Sequence, residues 1–574
     1  MSEEKPIVAP QSSRKKSLYS LLMAFFIVLL ILYISNFLHY RIDLTAEKRY
    51  SLSKETKKVL KEMKDVAYVK IYLDGDLPIG FRKMKNRLRE LLDEFKIYAG
   101  DNVEYEFINP LKSEDAKERD RILEDLANKG LHVTNIMDRD QEGGSSEKKI
   151  VPGAIITFKK AGMPLNLLKN NSSLTAEQNL NNSIQSLEYE LIHIIKSISE
   201  PPRKIAFIEG HGELDQYQVD DITTELLNYY DVSRLKIEGH ANRLDGFDAV
   251  IVASPSSAFT EADKFVLDQY LMKGGKLLFF IDEIKASLDS LMEGNTVALI
   301  NQFNLDDQLF RYGVRLNPSL LQDVVCATIP INTAPDGTEA RFYPAPWLYY
   351  PLLQPSQSNP ASRYVQLVKS EFPATIDTLR TTGLPIVKSV LLSSSKYARK
   401  VNAPVLISLQ EIKRKQDPAD FQLSDIPVGV LLEGRFKSVF QNRMISELGI
   451  QGKYEFLPEG KEARLFVAAD GDIIRNEVLY NAQGAMKLPL GFDRYSKTTF
   501  GNKDFILNLV NYMTDNSGLI KLRSKEFRLR LLDKPRIRTS RLSWQLVNTL
   551  IPLFLVIGCG VILTFVRKRK FTSR

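Results

Sequence analysis

Apolar residues run without interruption at two places in this chain, one near each end. Between them they recur every second residue or every three to four, the periods of half-buried strands and amphipathic helices. Leu18–Leu38 is an uncharged stretch of 21 residues. At 1.5 Å per residue a helix of that length reaches about 31 Å, close to the thickness of a bilayer's hydrocarbon core. Gln545–Val566 is the second such stretch, stopped by Arg567, Lys568, Arg569 and Lys570. Both predict membrane-spanning helices, in which Pro552, Gly558 and Gly560 are tolerated. The first is too long for a signal-peptide core and no small-x-small cleavage site follows it, so it predicts an uncleaved anchor.

After the first span, Ser53 is a candidate N-cap for a helix with Leu52, Val59, Leu60 and Met63 on its apolar face. Residues 66–74 read as a strand. Met84, Leu88, Leu91, Leu92 and Phe95 have helical spacing over 81–99, and 102–110 alternates like a strand. A helix at about 114–129, strands in IVPGAIITFKK and MPLNLL, and a helix at about 176–198 complete the series. DRDQEGGSSEKK (138–149) reads as a polar loop. The order β-α-β-α-β-β-α resembles a thioredoxin fold. Residues 1–325 hold no cysteine, so a thioredoxin-like redox centre is excluded and only the scaffold is expected.

Pro201-Pro202 predicts a boundary. Beyond it, strands at 203–209, 232–239, 248–255 and 276–282 alternate with helices at 215–229 and 261–273. Thr260 is the N-cap of the second helix, Glu261 and Asp263 lie in its first turn, and Gly274 is its stop. That alternation predicts an open parallel sheet. Residues 300–460, with the Pro-rich YPAPWLYYPLLQP (343–355), predict loops and short strands. A strand at 428–436, the strand and turn of 463–477 and a helix at 504–514 are expected to return to the sheet.

The expected fold class is therefore α/β. Transmembrane helices at both ends flank a thioredoxin-like domain (41–200) and an open parallel-sheet, flavodoxin/Rossmann-like domain (201–520), with a basic linker at 521–544. Basic flanks favour the cytoplasmic side, which places the tails 1–17 and 567–574 in the cytoplasm and the bulk of the chain outside an inner membrane.

Composition narrows the chemistry. Of 574 residues 44% are hydrophobic and 26% charged, the make-up of folded protein. The net charge of +8 comes from 78 basic against 70 acidic residues, and much of the excess sits beside the apolar ends, which suits membrane lipid and no nucleic acid. Cys326 and Cys559 are too far apart in character to pair, and two cysteines build neither a disulfide framework nor a cysteine zinc site. An ATPase needs GxxxxGK[ST]. Gly275-Lys276 lacks the earlier glycine, Tyr270 standing there, and is followed by Leu277. There is no HExxH and no GxSxG.

The best candidate site is Glu209-Gly210-His211-Gly212-Glu213, after the first strand of the second sheet, where open α/β folds bind ligands. His211 and its carboxylates either ligate a metal or act as a base, or they cap the next helix from a glycine turn, the plainer alternative. Asp282 ends the fourth strand and Asp470 and Asp472 end a late one. In a parallel sheet these acids gather near His211 as a ligand cleft. No catalytic, cofactor or metal residue is assigned beyond that cleft.

The stretch Arg41-Ile-Asp43-Leu44-Thr45 through Ser53, directly after an apolar run, resembles the opening of the gliding-motility-associated ABC transporter auxiliary proteins, the GldG family. RKIAFIEGHGE, DAVIVASP, KGGKLLFFID and RLFVAADGDIIRNE resemble that family's intraflagellar-transport-52-like α/β domain. The resemblance implies a non-ATPase accessory subunit without cofactor, partnered by a multi-span ABC permease and a cytoplasmic ABC ATPase. The alternatives are a structural envelope protein without a transport partner, and a hydrolase using the His211/Glu213 turn.

Overall fold

Two larger sheets, one of four strands and one of ten, carry most of the described chain, with five smaller sheets beside them, as its computed structural model shows. It describes residue 19, residues 21–30, residues 51–524 apart from 140–144, 160, 170–173, 288–289, 292–293, 333, 335–338, 340, 381–384, 415 and 482–483, and residues 541–572. The tail 1–17, the RIDLTAEKRY segment (41–50) and most of the basic linker (525–540) lie outside the described residues.

Residues 51–525 form one compact unit. Its first part runs α1 (Lys54–Glu62), β1 (Ala67–Ile71), α2 (Ile79–Ala99), β2 (Val103–Phe107), α3 (Ala116–Asn128), β3 (Thr134–Arg139), β4 (Ser145–Ile150), β5 (Gly153–Phe158), β6 (Ala161–Asn166) and α4 (Ala176–Ser199). The sheet order is β2-β1-β5-β6. β1 is parallel to β2 and antiparallel to β5, and β6 is antiparallel to β5. Alternation buries Ala67, Val69 and Ile71 on one side, and all five helical-spaced residues of α2 reach the same core. Ser53 caps α1, its Oγ accepting Thr56 N–H at 3.0 Å. Glu188 of α4 accepts Ser53 N–H and the Thr56 hydroxyl, both at 2.8 Å, and so ties α1 to α4. The expected loop over 138–149 is instead mostly hairpin, because β3 and β4 pair in register from Thr134↔Ile150 to Arg139↔Ser145.

The second part holds β7 (Arg203–Glu209), α5 (Asp220–Leu227), β8 (Tyr230–Lys236), β9 (Ala249–Ala253), α6 (Glu261–Met272), β10 (Lys276–Phe280), β11 (Ile284–Lys285), β12 (Asn295–Ile300), α7 (Asp306–Tyr312), β13 (Val314–Asp323), β14 (Cys326–Asn332), β15 (Phe342–Pro355), β16 (Val368–Lys369), β17 (Ala374–Thr378), β18 (Ile386–Ser393), β19 (Ala398–Asn402), β20 (Val405–Ser408), β21 (Pro427–Lys437), β22 (Glu459–Ala468) and α8 (Asn502–Thr514). Its main sheet has the order β14-β15-β18-β21-β22-β10-β9-β7-β8. The parallel expectation holds for β8, β7, β9, β10 and β22. Beyond β22 it fails, because β21, β18, β15 and β14 each join antiparallel. The sheet is therefore mixed. An apolar strand run reports burial on both faces but not the sense of the neighbouring strand, which the connections set.

Successive residues feed opposite faces. Leu277 and Phe279 of β10 and Leu465 and Val467 of β22 join one core, while Leu278, Phe280, Phe466 and Ala468 join the other with α5 and α8. YPAPWLYYPLLQP is one strand rather than loops and short strands. Pro344 stands opposite Pro330 in the β14 pairing. Neither has an N–H to offer, so this pair occupies a position that exchanges no hydrogen bonds. After α8 the chain returns to the first part, where Leu519, Ile520 and Leu522 enter the core of the four-stranded sheet.

The C-terminal expectation is met by α9 (Arg541–Thr572), within which Ser543–Val566 is long and apolar enough to cross a membrane. Of the expected span at 18–38, only residue 19 and residues 21–30 are described, and the rest lies outside the described residues. The described part, Leu21–Leu30, is an apolar helix, and among the described residues α9 is the one helix long and apolar enough to cross a membrane. Both cysteines are free.

Candidate functional site

Parallel strands deliver their loops to one edge, so the turns after β7, β9, β10 and β22 bring together residues far apart in sequence. After β7 the chain reverses through Gly210 and Gly212, at φ 120° and 70°. His211, 5% exposed, lies flat on Phe259 with ring centroids 3.8 Å apart. Its Nδ1 is 3.2 Å from Glu213 Oε1 and its Nε2 is 3.1 Å from Asp263 Oδ2. Asp263 also accepts Gly239 N–H at 2.7 Å and the Thr260 hydroxyl at 2.9 Å.

Burial by itself would lower the His211 pKa, but the hydrogen bonds to Asp263 and Glu213 outweigh it and push it up to about 9. Burial likewise favours neutral Asp263, and the same contacts hold its carboxyl below the usual range. The imidazole is thus a cation donating from both nitrogens. It clamps the β7 turn to the first turn of α6 and keeps no lone pair for taking a proton or binding a metal. Glu209 stands apart, its Oε1 paired with Arg234 Nε at 2.6 Å.

The three aspartates gather at the neighbouring strand ends. Ligand oxygens of Asp282, Asp470 and Asp472 all lie within 4.8 Å of one another. Asp282 Oδ1 accepts Gly471 N–H at 2.6 Å and its Oδ2 accepts the Ser254 hydroxyl at 2.5 Å. Asp470, fully buried, accepts Asp472 N–H at 2.8 Å and Glu371 N–H at 3.1 Å. Arg475 Nε reaches Asp472 at 2.9 Å, and its NH2 reaches Glu371 at 3.3 Å. Lys369 pairs with Glu371 at 3.1 Å.

Burial, with Asp472 and Asp282 adding like charge, drives the Asp470 pKa far above the carboxylate range. Burial raises Asp472 to about 8, Arg475 opposing and Asp282 and Glu371 adding to the rise. A cavity of about 240 Å³ opens beside them, lined by Asp472, Glu371, Arg475, Lys369, Tyr350 and Thr328 among others.

Gly471 is fixed by this packing, since a Cβ there would stand 2.4 Å from Ser254 Cβ and 2.5 Å from Asp282 Oδ2. Gly471→Ala is expected to cost about 1–3 kcal/mol through overpacking, measured as a lowered urea midpoint. A midpoint within error of the wild type would disprove that tightness.

The expected single cleft is thus resolved into separate groups. His211 and Glu213 join Asp263, the three aspartates join each other, and Glu209 belongs to neither. Asp263 was legible only as a residue of a helix first turn. Lys369 and Glu371 lie within residues 300–460, where no apolar periodicity places them.

Residues 202–509, just over half of the chain, match the family described as "ABC-type uncharacterized transport system". Residues 46–157 match a domain of unknown function (DUF7088). No curated protein matches the chain significantly. Among solved structures, the mmIFT52 N-terminal domain is similar at 16% identity and a TM-score of 0.31, covering 55% of this chain and 98% of that one. A putative ThuA-like protein from Parabacteroides merdae is similar at 9% identity and a TM-score of 0.26, covering 55% and 90%.

Proposed function

The chain belongs to the ABC-type uncharacterized transport system family, and from that premise we propose that it is a non-ATPase, membrane-anchored accessory subunit of an ABC transporter. The observation that carries this reading is the family match across residues 202–509, which spans β7 to α8. The apolar helix Ser543–Val566, ending in a cluster of Arg and Lys, supports anchoring in a membrane with those cations on the cytoplasmic side.

In this reading the body is extracytoplasmic and divides near residue 200. The first domain is thioredoxin-like in strand order but without the cysteines of redox chemistry. The second is a Rossmann-like parallel core widened by an antiparallel half. The chain does no catalysis. The missing phosphate loop leaves ATP hydrolysis to a separate cytoplasmic subunit, and a multi-span permease completes the transporter. The resemblance of residues 41–53 to the GldG family adds a link to gliding motility. The body grips substrate or envelope partners and transmits the ATPase's conformational change.

The test is a mild-detergent pull-down of the full-length protein from its native membranes, read by mass spectrometry. A permease and a Walker-containing ATPase are expected at near-stoichiometric levels. Recovery of envelope proteins alone, with solubilisation verified, would replace the transporter reading with a structural one.

A further inference from the structure

We propose that the basic cavity between α7, β13, β18 and β21 binds a small organic dianion, a phosphate or dicarboxylate carried on an apolar body. The cavity has a volume of about 690 Å³, within the range of small-molecule sites. It lies at the edge of the mixed sheet opposite the aspartates. Arg435 and Lys437 end β21, and Lys437 stands beside Glu459 at the start of β22, the strand whose far end leads to Asp470. The site concerns the body alone and holds whether or not a permease is the partner.

Six cations line it: Arg311 of α7, Arg315 of β13, Arg380 before β18, Arg435 and Lys437 of β21, and Arg443 after it. All but one are arginines, although lysine outnumbers arginine in the chain. Arginine presents a planar fork of donors that matches phosphate and carboxylate oxygens, which lysine does not.

Ion pairs account for three of the six. Arg315 reaches Asp377 at 2.6 Å, Lys437 reaches Glu459 at 3.8 Å, and Arg443 reaches Glu261 at 3.1 Å and also meets Asp307. Among the described residues Arg311, Arg380 and Arg435 form no ion pair. Arg435 is engaged through Nε, which donates to the Gly460 carbonyl at 3.2 Å and leaves its terminal nitrogens to a ligand. Two acids share the lining. Asp307 is taken by Lys264 and Arg443. Asp306 has no cation of its own, and against three unpaired arginines it leaves two positive charges in excess. A dianion neutralises that excess, and cations gathered in a concavity raise the local concentration of anions.

The cavity also has an apolar side. Phe310, next to Arg311 on α7, is 58% exposed, and Leu316, Ile386 and Val439 continue that wall. An inorganic anion makes no use of it, whereas a ligand with a ring or alkyl part does. The rim is fixed by contacts that need no ligand. Ser438 Oγ and Val439 N–H donate to Asp268 at 2.7 and 3.0 Å, and the Arg443 guanidinium lies 5.3 Å from the Phe440 ring centre. Less ordering is then left for binding to accomplish.

The experiment titrates the full-length protein calorimetrically in mild detergent, at low salt because salt screens exposed charges, with phenyl phosphate, phthalate and inorganic phosphate. One phenyl phosphate or phthalate per chain is expected, with a Kd below about 1 mM and a raised Tm. The tighter of the two identifies the headgroup as phosphate or dicarboxylate. Inorganic phosphate, without an apolar body, is expected to bind about tenfold more weakly than phenyl phosphate.

Arg311→Gln, Arg380→Gln and Arg435→Gln are each expected to weaken uptake at least about tenfold. All three side chains are exposed and outside ion pairs, so the Tm of the free variants stays within error of the wild type and the loss is one of binding. Phe310→Ala weakens phenyl phosphate and leaves inorganic phosphate unchanged. Lys129→Gln, in an exposed pair on α3, leaves uptake unchanged. The proposal is overturned by the absence of saturable heat with either organic dianion, by uptake unaltered in all three arginine variants, by an equal loss in Lys129→Gln, or by inorganic phosphate binding as tightly as phenyl phosphate.

Discussion

Asp268→Ala is expected to lower unfolding stability by about 5 kcal/mol, roughly a third or more of what an ordinary domain possesses. Asp268 lies fully buried on α6 and is the acceptor around which three segments close. It takes the Tyr312 hydroxyl at 2.8 Å, the Ser438 hydroxyl at 2.7 Å, Val439 N–H at 3.0 Å and Gln269 Nε2 at 2.9 Å. Burial raises its pKa although all four contacts pull the other way. Each donor stranded in the interior costs about 1–3 kcal/mol, with some relief where a hydroxyl can turn. Asp268→Asn retains an acceptor oxygen and is expected to lose less than half as much. Urea unfolding followed by circular dichroism compares the two. Equal midpoints for both variants would mean that side-chain volume, rather than the acceptor, matters at this position.

The second large effect depends on pH. The folded-state pKa of His211, about 9 against an unfolded 6.5, lies above its reference. Its contribution to stability is therefore fully present below pH 6.5 and is lost as pH rises through 9. At about 1.4 kcal/mol per pKa unit the contribution is about 3 kcal/mol. The charged groups facing the ring are Glu213, from its own turn, and Asp263, from α6. Stability measured from pH 6 to pH 10 for the wild type and for His211→Gln isolates the effect. Elevated carboxylates such as Asp472 also weaken the fold as pH rises from about 4 towards 8, but they act in both proteins and cancel in the difference. The gap between the two curves is expected to shrink by about 3 kcal/mol. A constant gap would show that the imidazole acts by stacking on Phe259 instead of through its charge.

Periodicity made the helices legible. The α2 stripe of Met84, Leu88, Leu91, Leu92 and Phe95 is wholly buried, and Thr260 caps α6 by accepting Asp263 N–H at 3.1 Å. Return of the late strand to the sheet was also legible, because Leu465 to Ala468 is apolar on both faces. Two kinds of feature were not. The antiparallel half depends on which strand lies next to which, and no residue of β21 or β18 carries that information. The pairing of His211 with Asp263, and of Asp470 with Glu371, joins positions 52 and 99 residues apart. Such contacts follow from sheet order and have no local spacing to betray them. The prolines of β15 misled for a local reason, since the missing N–H forbids a strand only where the ladder needs a donor.

The return of Leu519, Ile520 and Leu522 to the first core has a mechanical consequence. Leu52, Leu60 and Met63, at the other end of the body, sit in that same core. The polypeptide therefore leaves the body at both ends from the four-stranded sheet. Tension applied to the two tails would be borne across α1, α4 and the 519–524 turn without passing through the mixed sheet. Under load this small core would yield first, while the larger sheet and its carboxylate edge stayed slack.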